Sequence, residues 1–321
     1  MSKQFYYTAF QEPWWLNATA PGHWDEVSVE SGGEVVARLP YSMKTEGRIL
    51  TLTQPPLTQT LGPWVKDTGA AYTKALGRTM SLYEELIGML PAHDKFFQNF
   101  APQVTNWLPF YWNGFSETTR YTYQIDLTET VENLLSNMDK RNRSQLRKAE
   151  GHLVANVEND LETFLKLNRS TFRRQGREVP YSDEFVYRLD QAVLENASRS
   201  IVICRDSTSG VPHAAIYMVH YGEITHSLMS GTDESLRDQN GMIVARWKAI
   251  NVAREKTETL DLQGSMMRGI ERRNRKYGAH QLPLMTVSRK GPSALRAERV
   301  SLARREAGRL VRGATSRLFR R

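Results

Sequence analysis

Cysteine is almost missing from this chain: Cys204 is the single one in 321 residues. An internal disulfide framework and any zinc site built on several cysteines are excluded, and a reducing compartment fits. Long apolar runs are missing too. No uninterrupted stretch approaches the ~18 residues that a membrane-crossing helix needs. The opening Met1-Ser2-Lys3-Gln4 lacks the apolar segment of a secretory signal, so a cytoplasmic protein is expected. The patterns G-x-S-x-G, H-E-x-x-H and G-x-x-x-x-G-K-[ST] are absent. Three histidines, His213, His220 and His226, lie near one another in sequence but fall across an expected hairpin. They read as strand histidines, and no metal site is expected.

Charge is present but unevenly placed. The net charge is +8, yet Arg289 to Arg321 alone hold 11 basic and 2 acidic residues, a net of +9. Residues 1–288 are left with 32 basic and 33 acidic residues, a net of −1. A neutral body with a basic tail argues against nucleic-acid binding over the whole surface. The hydrophobic fraction of 40% with 10% aromatics supports a packed core.

Gly32-Gly33 between Val27–Glu30 and Val35–Leu39 predicts a hairpin, and Ile49–Thr53 a third strand. The next segment, from Gln54 to Trp64, holds Pro55, Pro56, Pro63 and Gly62, which bar a regular helix or a central strand. Leu76, Met80, Tyr83 and Ile87 predict a helix over Ala75–Leu90, closed by Pro91. Thr118–Leu127 reads as a strand. From Thr128, a candidate N-cap, Val131, Leu135, Met138, Leu146 and Ala149 follow at helical spacing. Helices are predicted over Asp160–Gln175 and after Ser182, then strands at Ile201–Arg205, Ala214–His220 and Glu223–Ser230. Gly241–Arg254 is a helix with an alanine stripe at Ala245, Ala249 and Ala253. Thr259–Leu262, Met266–Tyr277 and Leu282–Val287 predict strand, helix and strand. The order of elements repeats between the halves. The reading is an α/β fold of mixed α+β character: two copies of one small fold, residues 1–127 and 128–288, and a basic, helical tail at 289–321.

Four segments carry candidate chemistry. The proline-rich loop presents Thr58 and Gln59 as hydrogen-bonding groups and Trp64 as a stacking face, or else fills a structural crossover. Arg143 and Arg147 share one helix face, and Arg173 and Arg177 form a second basic group. Guanidinium groups so placed suit phosphate oxygens, and equally suit a solvated helix face. Only Gly241 stands before the alanine-striped helix, so a strong pyrophosphate loop is not expected there. Leu260-Asp261-Leu262-Gln263-Gly264-Ser265 passes from a strand into a helix, with Asp261 and Gln263 on one side of the strand. Polar residues at such a junction build sites, and they also cap turns.

The stretch Leu-Asp-Leu-Gln-Gly-Ser-Met with Ile270-Glu271 and Lys276-Tyr277-Gly278-Ala279 resembles the FemABX-type aminoacyltransferases and their relatives with a GNAT acyltransferase fold. Tyr123–Leu127 followed by Lys140–Ala149 is similar to the family's entry into its second domain, and Thr171–Gly176 also fits. The Pro-Pro-Leu-Thr-Gln loop is similar to members found with surface-polysaccharide genes. The resemblance spans about Pro13 to Val287. It implies tandem GNAT-like domains, each a mixed sheet flanked by helices.

It also implies transfer of an acyl group to an amine of a cell-envelope sugar or peptide precursor, nucleotide- or lipid-linked. Acyl-CoA and aminoacyl-tRNA both stay open as the co-substrate, and no resident cofactor is firmly implied. A non-catalytic precursor-binding or scaffold protein on the same fold is the alternative from another class. Amine attack needs proton removal and stabilisation of an oxyanion. Asp261 is the candidate for the proton, and backbone N–H groups near Ser230-Gly231 for the carbonyl. Arg143, Arg147, Arg173 and Arg177 would hold acceptor phosphates, with Gln263 and Ser265 lining the site. The tail alternates basic residues with Leu295, Val300, Leu302, Leu310, Val311, Leu318 and Phe319. It suits the anionic inner face of a membrane without spanning it; tRNA is the other polyanion it suits.

Overall fold

The structure, a computed structural model, describes residues 7–264 and 266–299. The chain begins with a short 3₁₀ turn and α1 (Pro13–Thr19). β1 (Trp24–Ser31), β2 (Glu34–Glu46), β3 (Ile49–Thr53) and β4 (Trp64–Val65) follow, then α2 (Tyr72–Met89), β5 (Lys95–Asn99), α3 (Leu108–Trp112) and β6 (Ser116–Asp126). The second series runs α4 (Val131–Asn137), α5 (Lys140–Ala149), β7 (Leu153–Val157), α6 (Leu161–Arg174), α7 (Asp183–Asn196), β8 (Ser198–Asp206), β9 (Pro212–Tyr221) and β10 (Ile224–Thr232). It ends with α8 (Gly241–Arg254), β11 (Thr259–Asp261), α9 (Arg268–Arg275) and β12 (His280–Lys290). Residues 292–299 are helical.

The twelve strands of the described residues join one mixed sheet in the order β1-β2-β3-β5-β12-β6-β11-β10-β9-β8-β7, with β4 paired to β2. Each half contributes antiparallel strands and one parallel pair, β3 with β5 and β10 with β11. The last strand of each half is exchanged. β6 lies against β11 and β12 lies against β5, and β6 and β12 pair with one another at the centre. One sheet therefore runs through both halves, and side chains from residues far apart in sequence meet at its middle.

Strand alternation sorts the two faces. Val287 of β12 packs with α2 and α3, while Tyr123, on the same face of β6, packs with α8 and α4. The other face carries α1, α6 and α7 over Ile201, Tyr217 and Val219. The alanine stripe of α8 is fully buried and lets that helix lie close on β8 and β9.

Two local expectations change. The run from Thr128 is two helices. Thr128 is spent on Asp126, donating its N–H and hydroxyl to the carboxylate, so Thr130 caps α4 instead. Asp139 then interrupts the run by capping α5, accepting from the N–H groups of Arg141 and Asn142. β7 is an additional edge strand. Its burial is too shallow to mark it in the sequence. Arg289 and Lys290 are the last residues of β12, and within the tail residues 300–321 lie outside the described residues.

Candidate active site

β10 and β11 pair only from Ile224–Thr259 to His226–Asp261. Beyond that point β10 runs on to Thr232, while the chain after Asp261 turns away toward α9. A parallel pair that parts in this way leaves a wedge through the sheet. β10 carries a bulge between Ser227 and Met229 at the mouth of the wedge. A bulge of this kind re-aims backbone groups beside the opening.

The turn is built by close approach. Gln263 takes φ 65°, and its N–H donates to the Asp261 carboxylate at 2.8 Å. A Cβ on Gly264 would stand 1.7 Å from the Tyr121 carbonyl oxygen, so only glycine lets the chain cross β6 there. On the opposite lip, a Cβ on Gly231 would stand 2.3 Å from the Asn168 nitrogen, because α6 rests directly on β10. Asn168 and Thr171 of α6 bond the Ser230 carbonyl and the Thr232 N–H at 2.9 Å each. The non-glycine residues with positive φ among the described residues are Leu57, Asn240 and Gln263; Gln263 forms this turn and Asn240 lines the pocket at the start of α8.

On the α6 side, Asp261 accepts the Thr122 hydroxyl at 2.6 Å and the Gln124 amide at 3.0 Å. His226 lies beside it in register, with Nδ1 3.2 Å from the Gln263 amide nitrogen and its ring 4.5 Å from that of Phe10. Both are buried. Burial lowers the His226 pKa, and nearby Asp261 offsets part of that. A neutral imidazole beside a carboxylate can take up a proton and hold the resulting charge. These groups line a recess of about 10 Å³ of water-centre space with Phe10, Gln59, Thr60 and Gln103. That is close to the least that admits one water.

On the α8 side of the sheet a pocket of about 340 Å³ lies between the start of α8 and α9. Arg237, Arg272, Arg273 and Lys276 line it, and no acidic residue does among the described residues. Arg273 has a buried Nε with no hydrogen-bond partner among the described residues. Behind the pocket, Arg246 is 3% exposed, donates to the Ser227 hydroxyl at 2.6 Å and stands 5.9 Å over the Tyr277 ring. Burial pushes its pKa down to about 10. A buried cation held by a hydroxyl and a ring is costly unless an anion joins it. With only Gly241 before α8, the anion-suited character of this pocket comes from arginines.

The residues singled out in the sequence are dispersed around this wedge. Asp261 and Gln263 are at its floor and Gln59 in the recess; Ser265 lies outside the described residues. Ser230 and Gly231 form the lip on β10. Arg177 reaches Met267 at 3.9 Å, and Arg173 is exposed at the end of α6. Thr58 accepts the Trp15 indole N–H at 2.9 Å, and Trp64 is buried in β4; both face the core. Arg143 donates to the carbonyls of Ser136 and Met138, closing α4, and Arg147 is exposed one turn on. His226, Arg246 and Arg273 were not singled out for this site. For Arg246 the signal is a cation inside a mostly apolar helix; Arg273 stands among the other arginines of α9 and His226 among the polar residues of β10, and neither is marked in the sequence. His220 bonds Thr225 and Ser200 at 2.7 and 2.9 Å, and no group of three metal-binding side chains forms among the described residues.

Residues 136–272 match the family model described as an acetyltransferase (GNAT) domain. FemX superposes with a TM-score of 0.65 at 14% identity, covering 87% of this chain and 92% of that one. The C-terminal domain of a putative lysylphosphatidylglycerol synthetase from Agrobacterium fabrum gives 0.55 at 14% identity over 86% of each chain. L-PGS from Bacillus licheniformis gives 0.51 at 10% identity, covering 87% of this chain and 88% of that one. No curated protein sequence matches the chain. The wedge between β10 and β11 lies inside the matched residues. Residues 136–272 are thus similar to an acetyltransferase (GNAT) domain, and the chain shares the fold of FemX and of the lysylphosphatidylglycerol synthetase domain.

Proposed function

We propose that the protein transfers an acyl group from a phosphate-bearing donor to an amine of a cell-envelope precursor, with the reaction centred on the wedge between β10 and β11. The carrying observation is the pair of sheltered arginines, Arg246 and Arg273, which lack a carboxylate partner among the described residues at the pocket between α8 and α9. Phosphates of the donor fit that pocket, where Arg237, Arg272 and Lys276 add charge. Acyl-CoA and aminoacyl-tRNA share this chemistry, an activated acyl ester or thioester on a phosphate-bearing carrier.

The acyl carbonyl then lies in the wedge, and the amine arrives from the recess side. His226 takes the proton as the nitrogen attacks, and Asp261, fixed by Thr122, Gln124 and the Gln263 N–H, supports the charge that forms; as the amide forms, the carrier's C–S or C–O bond breaks and the departing sulfur or oxygen receives that proton. Backbone N–H groups at the β10 bulge and the lip at Ser230-Gly231 are suited to the oxyanion. Names of structural neighbours, FemX and a lysylphosphatidylglycerol synthetase domain, favour an envelope peptide or lipid-linked acceptor. The division into residues 1–127 and 128–288 belongs to the same reading, the first part shaping the acceptor side. So does a station at the inner face of a membrane, through the basic residues after β12.

The test is consumption of each donor. Acetyl-CoA or alanyl-tRNA should disappear only when an amine-bearing envelope precursor is present. A protein that binds precursor and consumes neither donor would be the non-catalytic alternative.

A further inference from the structure

α3 has two unlike sides. Phe110 is fully buried, with ring contacts to Tyr83, Phe96, Phe100 and Phe115. The opposite side presents Leu108, Tyr111 and Trp112 at 44%, 60% and 53% exposure. The ridge is therefore apolar and aromatic but rigidly mounted. Three side chains on one short helix are far too few for a stable protein interface, which needs ~800 Å² on each partner. They are enough for a bilayer surface, where Trp and Tyr put an apolar ring among lipid chains and a polar tip in the headgroups.

The surroundings say which surface. Arg289 stands 4.3 Å over the Phe115 ring and donates to the carbonyl of Asn113, the residue that ends α3, at 3.4 Å. It also touches the His93 ring at 2.8 Å. The neighbouring Asp94 holds the chain after β12, accepting the Gly291 N–H at 2.7 Å and the Ser293 hydroxyl. The chain thus leaves the sheet at the end of the molecule where α3 sits. Ala294 is buried, so the segment 292–299 is docked there. From 300 to 321 the sequence holds seven arginines and one acidic residue. The aromatic ridge thus stands at the end of the molecule where the described residues stop, and the sequence after residue 299 is strongly cationic. Each alone binds membranes weakly, and two such signals together bind stably.

We propose that α3 is the insertion element of a membrane-contacting face, entering the headgroup region of an anionic bilayer through Leu108, Tyr111 and Trp112. This deepens the reading of the basic segment given under Proposed function and rests on it. The full chain should sediment with vesicles of equal parts phosphatidylglycerol and phosphatidylcholine at low salt, and weakly with phosphatidylcholine alone. Leu108→Ser, Tyr111→Ser and Trp112→Ser together should lower the partition coefficient about tenfold or more while leaving the thermal transition in place. Brominated lipids should quench wild-type tryptophan fluorescence, and Trp112→Phe should remove part of that quenching. Unchanged partitioning of the triple variant overturns the proposal. So does wild-type binding to RNA but not to vesicles, or a triple variant that alters only self-association. Acyl transfer to a soluble amine, read in the same samples, keeps the two readings apart. Its absence from the wild type defeats the transferase reading and leaves the vesicle result to be judged alone.

Discussion

His226 and Asp261 are the last residues of β10 and β11 to pair before the two strands part. The sheet thereby places a buried imidazole next to a buried carboxylate at the apex of an opening through itself. The carboxylate is tied to Thr122 and Gln124 of β6, which belongs to the other half of the sequence. The exchange of last strands is what brings the two halves to one apex.

Asp261→Asn keeps the shape of this apex and removes the charge facing His226. Turnover should fall about 100-fold, with the donor KM little changed. Thr122→Val, which removes one hydrogen bond to the carboxylate, should cost less, about tenfold or below. Steady-state kinetics with a fixed donor and amine check both. Unchanged turnover in Asp261→Asn would remove that residue from proton transfer.

Arg273→Gln and Arg272→Gln should act on donor binding. Each should raise the donor KM by about tenfold, the size of one charge-assisted hydrogen bond, with kcat within a few-fold of wild type. The change should shrink as salt rises in both proteins, because the remaining cations are screened. Equal KM values would place the phosphates elsewhere.

His220 is buried between Thr225 and Ser200, and burial lowers its pKa from 6.5 to about 4. The unfolded chain therefore binds the proton first as pH falls. Stability that is full above pH 6.5 should decline as pH falls toward about 4, by about 3 kcal/mol from this group. Denaturant unfolding across that window, for wild type and His220→Gln, checks the slope. The variant should be less stable at neutral pH but show a flatter decline.

Gly231→Ala and Gly264→Ala should each destabilise the fold by at least about 2 kcal/mol. Their added methyl groups would meet backbone at 2.3 and 1.7 Å, and backbone of a docked helix or central strand has little room to yield. Thermal unfolding reads the loss. Gly269→Ala, with open space around it and, like Gly231 and Gly264, no positive φ, serves as the comparison without a backbone clash.

Much of the architecture was legible because periodicity and punctuation are local. The Gly32-Gly33 hairpin, the proline-closed α2, the Ser182 cap and the alanine stripe of α8 each follow from a few adjacent residues. Asp261 could be placed at a strand end by alternation alone, whereas Gln263, expected on the same side of that strand, lies past the end of β11 in a turn at φ 65°. Other features were not legible because their causes are distant in sequence. Nothing near Thr122 says that it will bond a residue 139 positions away. Thr58 looks like an open donor until Trp15 is seen to claim it. Arg246 reads as one more helix cation until the α8 face that carries it is seen to be buried. The exchange of β6 and β12, which assembles the apex, leaves no mark in either strand's own residues.

The central claim is a single transfer centre at the wedge, and donor consumption dependent on an amine tests it most directly. Purified full chain is mixed with acetyl-CoA or alanyl-tRNA, with and without an amine-bearing envelope precursor, and the loss of each donor is followed alongside the Asp261→Asn variant. The account predicts precursor-dependent loss of one donor in the wild type and about a hundredfold slower loss in the variant. Loss of neither donor, or loss at the same rate in both proteins, would contradict it.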